Sequence, residues 1–544
     1  MPSSRSLRFR LGAIALGAAL SVPPAIAQAP PPVLRAATRL VEVSVVVHDR
    51  KGQGVADLAA GEFDVWDAGQ KQAVALLRVE RTTPAPGAPA PAPLPASTFS
   101  NLPVHASGAV NAITVVLVDG LNTPFADQAY ARRQLIKVLG ALTPADRVAL
   151  YELGHGLRIL HDFTDDATSL LRALDRRGLY TGPKLDDSNP AAATTPDADL
   201  NEFLDHANRA VADFQVADRI ITTLDAITAI AQHVAGLPGR KNLVWISGGF
   251  PFAIGMDAWS PNESRDSRTF AYDMERASRA VTAAQLAIYP VDARGLTAGS
   301  ATGAGATGGR ATALAGPEAM RDLQQTQDVM DVLAARTGGK AYVNSNNLKT
   351  AIRGAIDDAS VSYVLGYYPT HTAWDGSFRK LTVKVTRPGL NVRHRQGYLA
   401  LPDEPVTEDA RRAALADAAR SPVDATALGL SVRIARDVPA PGFLRAHLTI
   451  EPGHVSLRQQ GDRWVGTIDA LFVMQAAADA PVTVTRQTAN LSLTTQTYEE
   501  SLKAGVRLAQ DLDAAQCRYQ LKVVVRDAAT GRLGSVSARL DTRR

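Results

Sequence analysis

The sequence predicts an α/β fold: a doubly wound, mostly parallel sheet flanked in the chain by β-sandwich strands and followed by a second β-sandwich. Three observations carry this. Largely apolar runs such as Val115–Val118, Asn242–Ile246 and Leu286–Val291 are bounded by polar or small residues, as in strands buried on both faces. Segments with apolar residues at helical spacing separate those runs, the pattern of βαβ units with right-handed crossovers. On either side of this region the pattern changes to apolar/polar alternation, the mark of half-buried strands.

Taken in order, Met1–Ala27 carries Arg5, Arg8 and Arg10, then the apolar Leu11–Val22, then Ala25-Ile26-Ala27 before Gln28. This is the tripartite pattern of a secretory signal peptide, so the mature chain is expected to start at Gln28 in the periplasm or outside the cell. The cleavage site offers no Cys for a lipid anchor, and no later stretch supplies the ~18 uninterrupted apolar residues of a transmembrane segment.

Residues 28–82 hold three strands, Leu40–Val47, Glu62–Asp67 and Ala73–Val79, the last two joined by an Asp67-Ala68-Gly69 hairpin signal. So few strands bury little and need partners elsewhere in the chain. Residues 83–110, centred on PAPGAPAPAPLP, read as an extended polyproline-like linker.

The α/β unit is expected over 111–359. Its strands are Val115–Val118 flanked by Ile113, Arg147–Leu153, an edge strand Ile159–Phe163, Asn242–Ile246, Leu286–Val291 ending at Asp292, and Lys340–Val343. Its helices are a first one striped by Ala129, Leu135, Ile136 and Leu139, then Thr168–Leu174, Arg219–Ala235, Thr269–Ala284, Pro317–Thr337 and Leu348–Ala359. Tyr180–Asp199 and Pro251–Arg268 read as loops.

Alternation resumes in 360–402, with Ser360–Tyr368, Arg379–Arg387 and Asn391–Leu399, the last two joined by Pro388-Gly389. These strands are expected to complete the N-terminal three as one composite, Ig-like sandwich. Residues 403–422 contain a connecting helix, Thr407–Ala419. Residues 423–544 then give six alternating strands that read as a separate sandwich.

Charge and cysteine content exclude several function classes. The whole chain has 58 Lys+Arg against 54 Asp+Glu; without the three signal-peptide arginines the balance falls from +4 to +1. That gives no cationic face for counterion displacement, so nucleic acid is not an expected partner. The one cysteine, Cys517, excludes an internal disulfide and reads as a buried core thiol. The 517 residues left after Ala27 call for about three units of roughly 150 residues each.

The candidate site is the turn after the central strand, Asp119-Gly120-Leu121-Asn122-Thr123. In an open parallel sheet the carboxyl ends of the strands form a crevice, and Asp119, Asn122 and Thr123 are hard oxygen donors suited to Mg²⁺, Ca²⁺ or Mn²⁺. The same residue types also cap helices and turns. The strand Asn242–Ile246 ends in Ser247-Gly248-Gly249, which puts Ser247 and Gly248 on the same edge.

Together with the Thr143-Pro144-Ala145-Asp146-Arg147-Val148 lead into the second strand, Arg240–Gly249 (RKNLVWISGG) and Tyr363–Pro369 (YVLGYYP), this edge resembles the von Willebrand factor type A (VWA) related proteins exported by acidobacteria and similar soil bacteria. The resemblance covers roughly Leu40–Leu399. It implies a VWA-like fold and a role in adhesion or protein–protein recognition. A full VWA metal site resembles Asp-x-Ser-x-Ser plus a distant Thr and a distant Asp. Here Asp119 and Thr123 match, Leu121 replaces the middle Ser, Ser247-Gly248-Gly249 stands where the distant Asp belongs, and the distant Thr is unassigned. The resemblance therefore implies a degenerate metal-ion-dependent site, with Mg²⁺ or another divalent cation held weakly at Asp119 and Thr123 if at all.

Other motifs read as structural. Gly303-x-Gly305-x-x-Gly308 is separated from the strand ending at Asp292 by a dozen residues, whereas a dinucleotide fingerprint joins strand directly to helix. Ser247 lacks the first glycine of Gly-x-Ser-x-Gly. His155, His161, Tyr367, Tyr368, Trp374 and Asp186-Asp187-Ser188-Asn189 read as ordinary surface, packing or loop residues. The expected protein is thus an exported, non-catalytic module that binds an unidentified protein partner through Asp119, Asn122, Thr123, Ser247 and Gly248. Its rivals are an exported hydrolase using Ser247 or an Asp119-bound metal, and a structural envelope component with a vestigial site.

Overall fold

The computed structural model describes residues 39–81, 93–102, 112–143, 146–177, 198–249, 270–294, 317–343, 348–371, 373–401, 407–435, 442–476, 482–514 and 518–541. Contacts gather Leu40–Arg544 into one unit and set Met1–Arg39 apart. The signal-peptide segment, residues 180–197 and 251–268, the Gly303–Gly308 motif and Cys517 lie outside the described residues.

The chain enters through β1 (Val41–His48), β2 (Phe63–Asp67), β3 (Gln70–Gln72), β4 (Val74–Arg81) and the short β5 (Thr98–Ser100). Ala68 and Gly69, at φ +49° and +84°, form the tight turn that pairs β2 with β3. The single strand expected over Ala73–Val79 is thus preceded by β3, and β4 passes to a different sheet.

The α/β unit runs β6 (Ala112–Asp119), α1 (Phe125–Leu139), β7 (Val148–Leu153), β8 (Leu157–Thr164), α2 (Ala167–Arg177), α3 (Ala198–Val234), β9 (Arg240–Ser247), α4 (Ala271–Ala284), β10 (Leu286–Asp292), α5 (Pro317–Thr337) and α6 (Leu348–Ser360). The sheet order is β10-β9-β6-β7-β8, with every pair parallel except β7 with β8. The chain winds outward from β6 to β8 and then returns to lay β9 on the other side of β6. The order reverses at β6, which makes its carboxyl end a topological switch point.

Alternate residues of the strands feed two cores. Val115, Leu117, Leu243, Trp245 and Ile288 pack under α3, α4 and α5; Val116, Val118, Val244, Ile246 and Tyr289 pack under α1, α2 and α6. Each side chain so buried contributes roughly 1.5–3 kcal/mol, which is why continuous apolar strands specify this layering.

Several expectations shift here. Helix α3 starts at Ala198, some twenty residues before the expected Arg219. In α1, Ala131, Leu135, Val138 and Leu139 face the core, while Ala129 and Ile136 are exposed. The strand expected over Lys340–Val343 reduces to a bridge between Val291 and Tyr342.

Beyond α6 come β11 (Val361–Tyr367), β12 (Phe378–Val385), β13 (Asn391–His394) and β14 (Gly397–Leu399). They pair across the chain: one sheet has the order β13-β1-β11-β4 and its mate β14-β12-β2-β3. Val43, Val45, Val65, Tyr363 and Leu365 fill the core between them. The stretch expected as one strand, Asn391–Leu399, bends at Arg395-Gln396 and serves both sheets.

Helix α7 (Glu408–Arg420) is capped by Thr407, whose side chain accepts the Ala410 N–H. The remainder forms β15 (Leu430–Ala435), β16 (Phe443–Ile450), β17 (Arg458–Gln460), β18 (Arg463–Gln475), β19 (Val482–Thr494), helix α8 (Thr495–Ala504), β20 (Val506–Asp513), β21 (Arg518–Asp527) and β22 (Leu533–Asp541). The presumed linker 83–110 contributes to this region: β5 pairs with β15, and Asn101 donates to the carbonyls of Ala425 and Leu428. Among the described residues no helix is long and apolar enough to cross a membrane.

Candidate functional site

Register places the site. Leu117 on β6 lies beside Trp245 on β9, and Val118 beside Ile246. Side chains alternate with a period of two, so Asp119 shares a face with Leu117, and Ser247 with Trp245. That face is the one α3 covers. An acid at the end of β6 therefore meets an indole, a hydroxyl and whatever α3 presents.

The carboxylate of Asp119 is fully engaged. Its Oδ2 accepts from Asn122 Nδ2 at 2.9 Å, Trp245 Nε1 at 3.0 Å and Ser247 Oγ at 2.9 Å. Its Oδ1 accepts the backbone N–H of Asn122, three residues on, at 2.9 Å, which closes the turn. Asn122 Nδ2 also donates to Thr223 Oγ1 of α3, at 3.1 Å. Next to this cluster Thr123 Oγ1 accepts the Gly248 N–H at 2.9 Å. Gln128, in the first turn of α1, pins the same turn through the carbonyls of Gly120 and Thr123.

Burial pushes the Asp119 pKa up, and the hydrogen bonds from Asn122, Ser247 and Trp245 pull against that rise. Its negative charge acts on Arg219 of α3, whose own pKa burial pushes down.

The arrangement brings together all five residues expected at the edge, but not as a surface. Asp119 is 1% exposed, Thr123 2%, Asn122 6% and Ser247 0%, and Gly248 is buried too. As placed they cannot touch a partner; they form the floor of the rim. Of the capping expectation, the turn half holds, since Asp119 takes the Asn122 N–H, and the helix half is corrected: Pro124 is the N-cap of α1 with no side-chain cap, and the N–H groups of Asp127 and Gln128 bond to the Pro124 carbonyl.

The donor set does not fit a divalent cation. The three groups around Oδ2 are N–H or O–H donors, which present positive hydrogens where a metal would need oxygen lone pairs. Thr123 Oγ1 is turned to a backbone N–H. Ser247 is equally unsuited to nucleophilic attack: its hydrogen bonds run to Asp119 and to Gly249, with neither His155 nor His161 among the partners.

Asp292, at the end of β10, lies beside Ser247 in register, and its carboxylate is held by Arg294 at 2.9 and 3.0 Å. Tyr367 is fully buried, with its hydroxyl on Asp67 at 2.9 Å, while Tyr368 is exposed.

Sequence reasoning missed Trp245 and Thr223. The signal for Trp245 was present: a Trp in a strand buried on both faces must find an acceptor for its N–H. Asp119 lies two residues along the neighbouring strand from Leu117, on the same face. Nothing in the sequence marked Thr223, which depends on how α3 lies across the sheet.

No protein-family model matches the sequence, and no curated protein matches it. Among solved structures, an aerotolerance-related membrane protein from Bacteroides fragilis is 13% identical, with 45% of this chain and 99% of that one covered, at a TM-score of 0.24. BatB from Bacteroides thetaiotaomicron is 14% identical, with 46% and 98% covered, at 0.22. The ArnB paralog VWA2 from Sulfolobus acidocaldarius is 9% identical, with 88% and 74% covered, at 0.21. The mixed α/β architecture rests on the strand order described above, not on these distant likenesses.

Proposed function

We propose that this is an exported, non-catalytic recognition protein of VWA type, with a degenerate metal-ion-dependent site, that binds a protein partner at the carboxyl edge of its parallel sheet. One observation carries the reading: the acid at the switch point is saturated by neutral donors of its own fold, so among the described residues the rim displays neither an open cation site nor an activated nucleophile. In this reading the buried cluster fixes the rim, and the contacts fall to the loop expected from the sequence over Pro251–Arg268, which follows β9. Variable segments on a rigid scaffold are where binding residues collect.

The test presents immobilised protein to envelope extract of the source organism, using wild type, Asp119→Asn and a variant with 251–268 replaced by a Gly/Ser segment of equal length. The reading expects a specific partner that survives Asp119→Asn and is lost with the segment exchange. Capture indifferent to the exchange, or ester or peptide hydrolysis abolished by Ser247→Ala, would overturn it.

A further inference from the structure

A cavity of about 570 Å³ opens where the composite sandwich, the amino end of the parallel sheet and the C-terminal strands meet. Thr426 ties the C-terminal part to the end of α3 there. Its N–H donates to the Gln232 carbonyl and its Oγ1 accepts the Gly236 N–H, at the end of α3. A Cβ on Gly236 would fall 1.9 Å from the Thr426 carbonyl oxygen, so only glycine permits this approach. The loop then turns through Gly239, at φ +77°, into Arg240 and Lys241.

Four cations line this cavity, Arg78, Arg81, Lys241 and Arg532, against two carboxylates, Glu42 and Glu80. The acids are already occupied. Glu80 accepts from Arg78 Nε at 3.1 Å, and Glu42 from Gln285 Nε2 at 2.6 Å. Arg81 is spent on the Ala56 carbonyl. Among the described residues no hydrogen bond or direct ion pair engages the half-buried Lys241 ammonium or the exposed Arg532 guanidinium; burial pushes the Lys241 pKa down, and Glu80 and Glu42 pull against that only at longer range. His454 adds a donor: its Nδ1 accepts the Gly429 N–H at 2.7 Å, which leaves the proton of the neutral ring on Nε2.

A half-buried ammonium with no direct hydrogen-bond partner loses hydration that the longer-range pull of Glu80 and Glu42 restores only in part, and an anion in contact would complete it. We propose that this cavity is a binding site for a small soluble phosphate, inorganic or a phosphomonoester, with Lys241 and Arg532 matching its two negative charges and His454 supplying a further N–H. The excess of two cations over two anions suits a dianion better than a single carboxylate. The space falls within the roughly 300–1,000 Å³ of small-molecule sites, so an ester substituent is accommodated beside the phosphate group.

Calorimetry on the full chain tests this with inorganic phosphate, glycerol phosphate and phosphatidic acid vesicles as separate titrants, over a chloride background. Saturable binding of inorganic phosphate or glycerol phosphate is expected, weakened about tenfold or more in Lys241→Gln and less in Arg532→Gln, the loss of one charge-assisted contact each. In phosphate-free buffer Lys241→Gln should melt no lower than wild type, because it removes a charge with no direct partner. Three results overturn the proposal: no saturable heat with either soluble phosphate to millimolar concentration, binding equal in wild type and Lys241→Gln, or binding confined to vesicles.

Discussion

At the amino end of β9, Arg240 is 2% exposed and reaches Ser44 of β1, Tyr289 of β10 and the Gly338 carbonyl. The Tyr289 hydroxyl donates a hydrogen bond to Asp358 of α6, which also takes Arg393 of β13 and lies 3.4 Å from His48. Toward the other end of the same strand, Trp245 and Ser247 close on Asp119 with no cation bonded to it. One cluster neutralises full charges with full charges drawn from separate elements, and so joins the sandwich to the sheet. The other satisfies a lone carboxylate with neutral donors, mostly from its own sheet, and so seals one edge. The contrast shows that a conspicuous acid at a switch point can be structural, and that the polar residues opening a strand can matter more for assembly than those closing it.

The largest expected effect breaks the charged cluster. Asp358→Ala leaves the Arg393 guanidinium and the Tyr289 hydroxyl, which bridges to Arg240, without their carboxylate and should cost about 3–5 kcal/mol in denaturant unfolding. A loss under about 1 kcal/mol, typical of exposed pairs, would show that the cluster is not a buried ion network. Asp119→Ala comes next. It strands the donors of Asn122, Trp245 and Ser247 and should cost about 3 kcal/mol, because unsatisfied buried donors carry their full desolvation penalty. Trp245→Phe removes one donor to a buried acid and should cost roughly 2 kcal/mol, with little change in the far-ultraviolet circular dichroism spectrum.

Acid titration sharpens the comparison further. Because the folded pKa of Asp119 is raised, the native state holds its proton at pH values where the unfolded chain has lost it. This residue's contribution is therefore greatest at low pH, and falls as pH climbs from the ordinary carboxylate range to the raised value. Asp146 has the opposite sign. Burial alone would lift its pKa, but the hydrogen bonds from Arg353 and Thr143 hold it below the usual range. Its contribution is present above the ordinary value and fades as pH falls through the folded one. Unfolding curves for Asp119→Asn should lose the first slope and keep the second; an unchanged pH profile would contradict the assignment. The smallest effect is expected at Arg412, whose pairs with Glu408 and Asp409 are exposed, so Arg412→Ala should change stability by less than about 1 kcal/mol.

The parallel sheet was legible because its strands are buried on both faces, so Val115–Val118 and Leu286–Val291 read as continuous apolar runs. The first half of α3 was not. Residues 198–218 do carry apolar residues at helical spacing, Leu200, Leu204, Ala207, Val211 and Phe214, but they follow a Pro/Asp/Asn-rich stretch that reads as loop, and Val211 and Phe214 are exposed instead of packing on the sheet. Strand β5 was hidden because three residues in a Pro/Ala-rich stretch carry no period, and its register comes from β15. Helix α8 buries none of its residues, so hydrophobic spacing had nothing to report. At the candidate site, residue types and edge were readable, but the state of the carboxylate was not. Whether Asp119 faces a ligand or its own fold depends on the register of β6 against β9, which no local pattern encodes.

The central claim, that Asp119 is a structural acid and not a cation ligand, is tested most directly by titrating Mg²⁺ and Mn²⁺ into wild type and Asp119→Asn while following heat and melting temperature. The account predicts no saturable heat and no metal-dependent rise in melting temperature for either protein, with Asp119→Asn melting lower than wild type in metal-free buffer. Saturable binding to wild type that disappears in Asp119→Asn would contradict it.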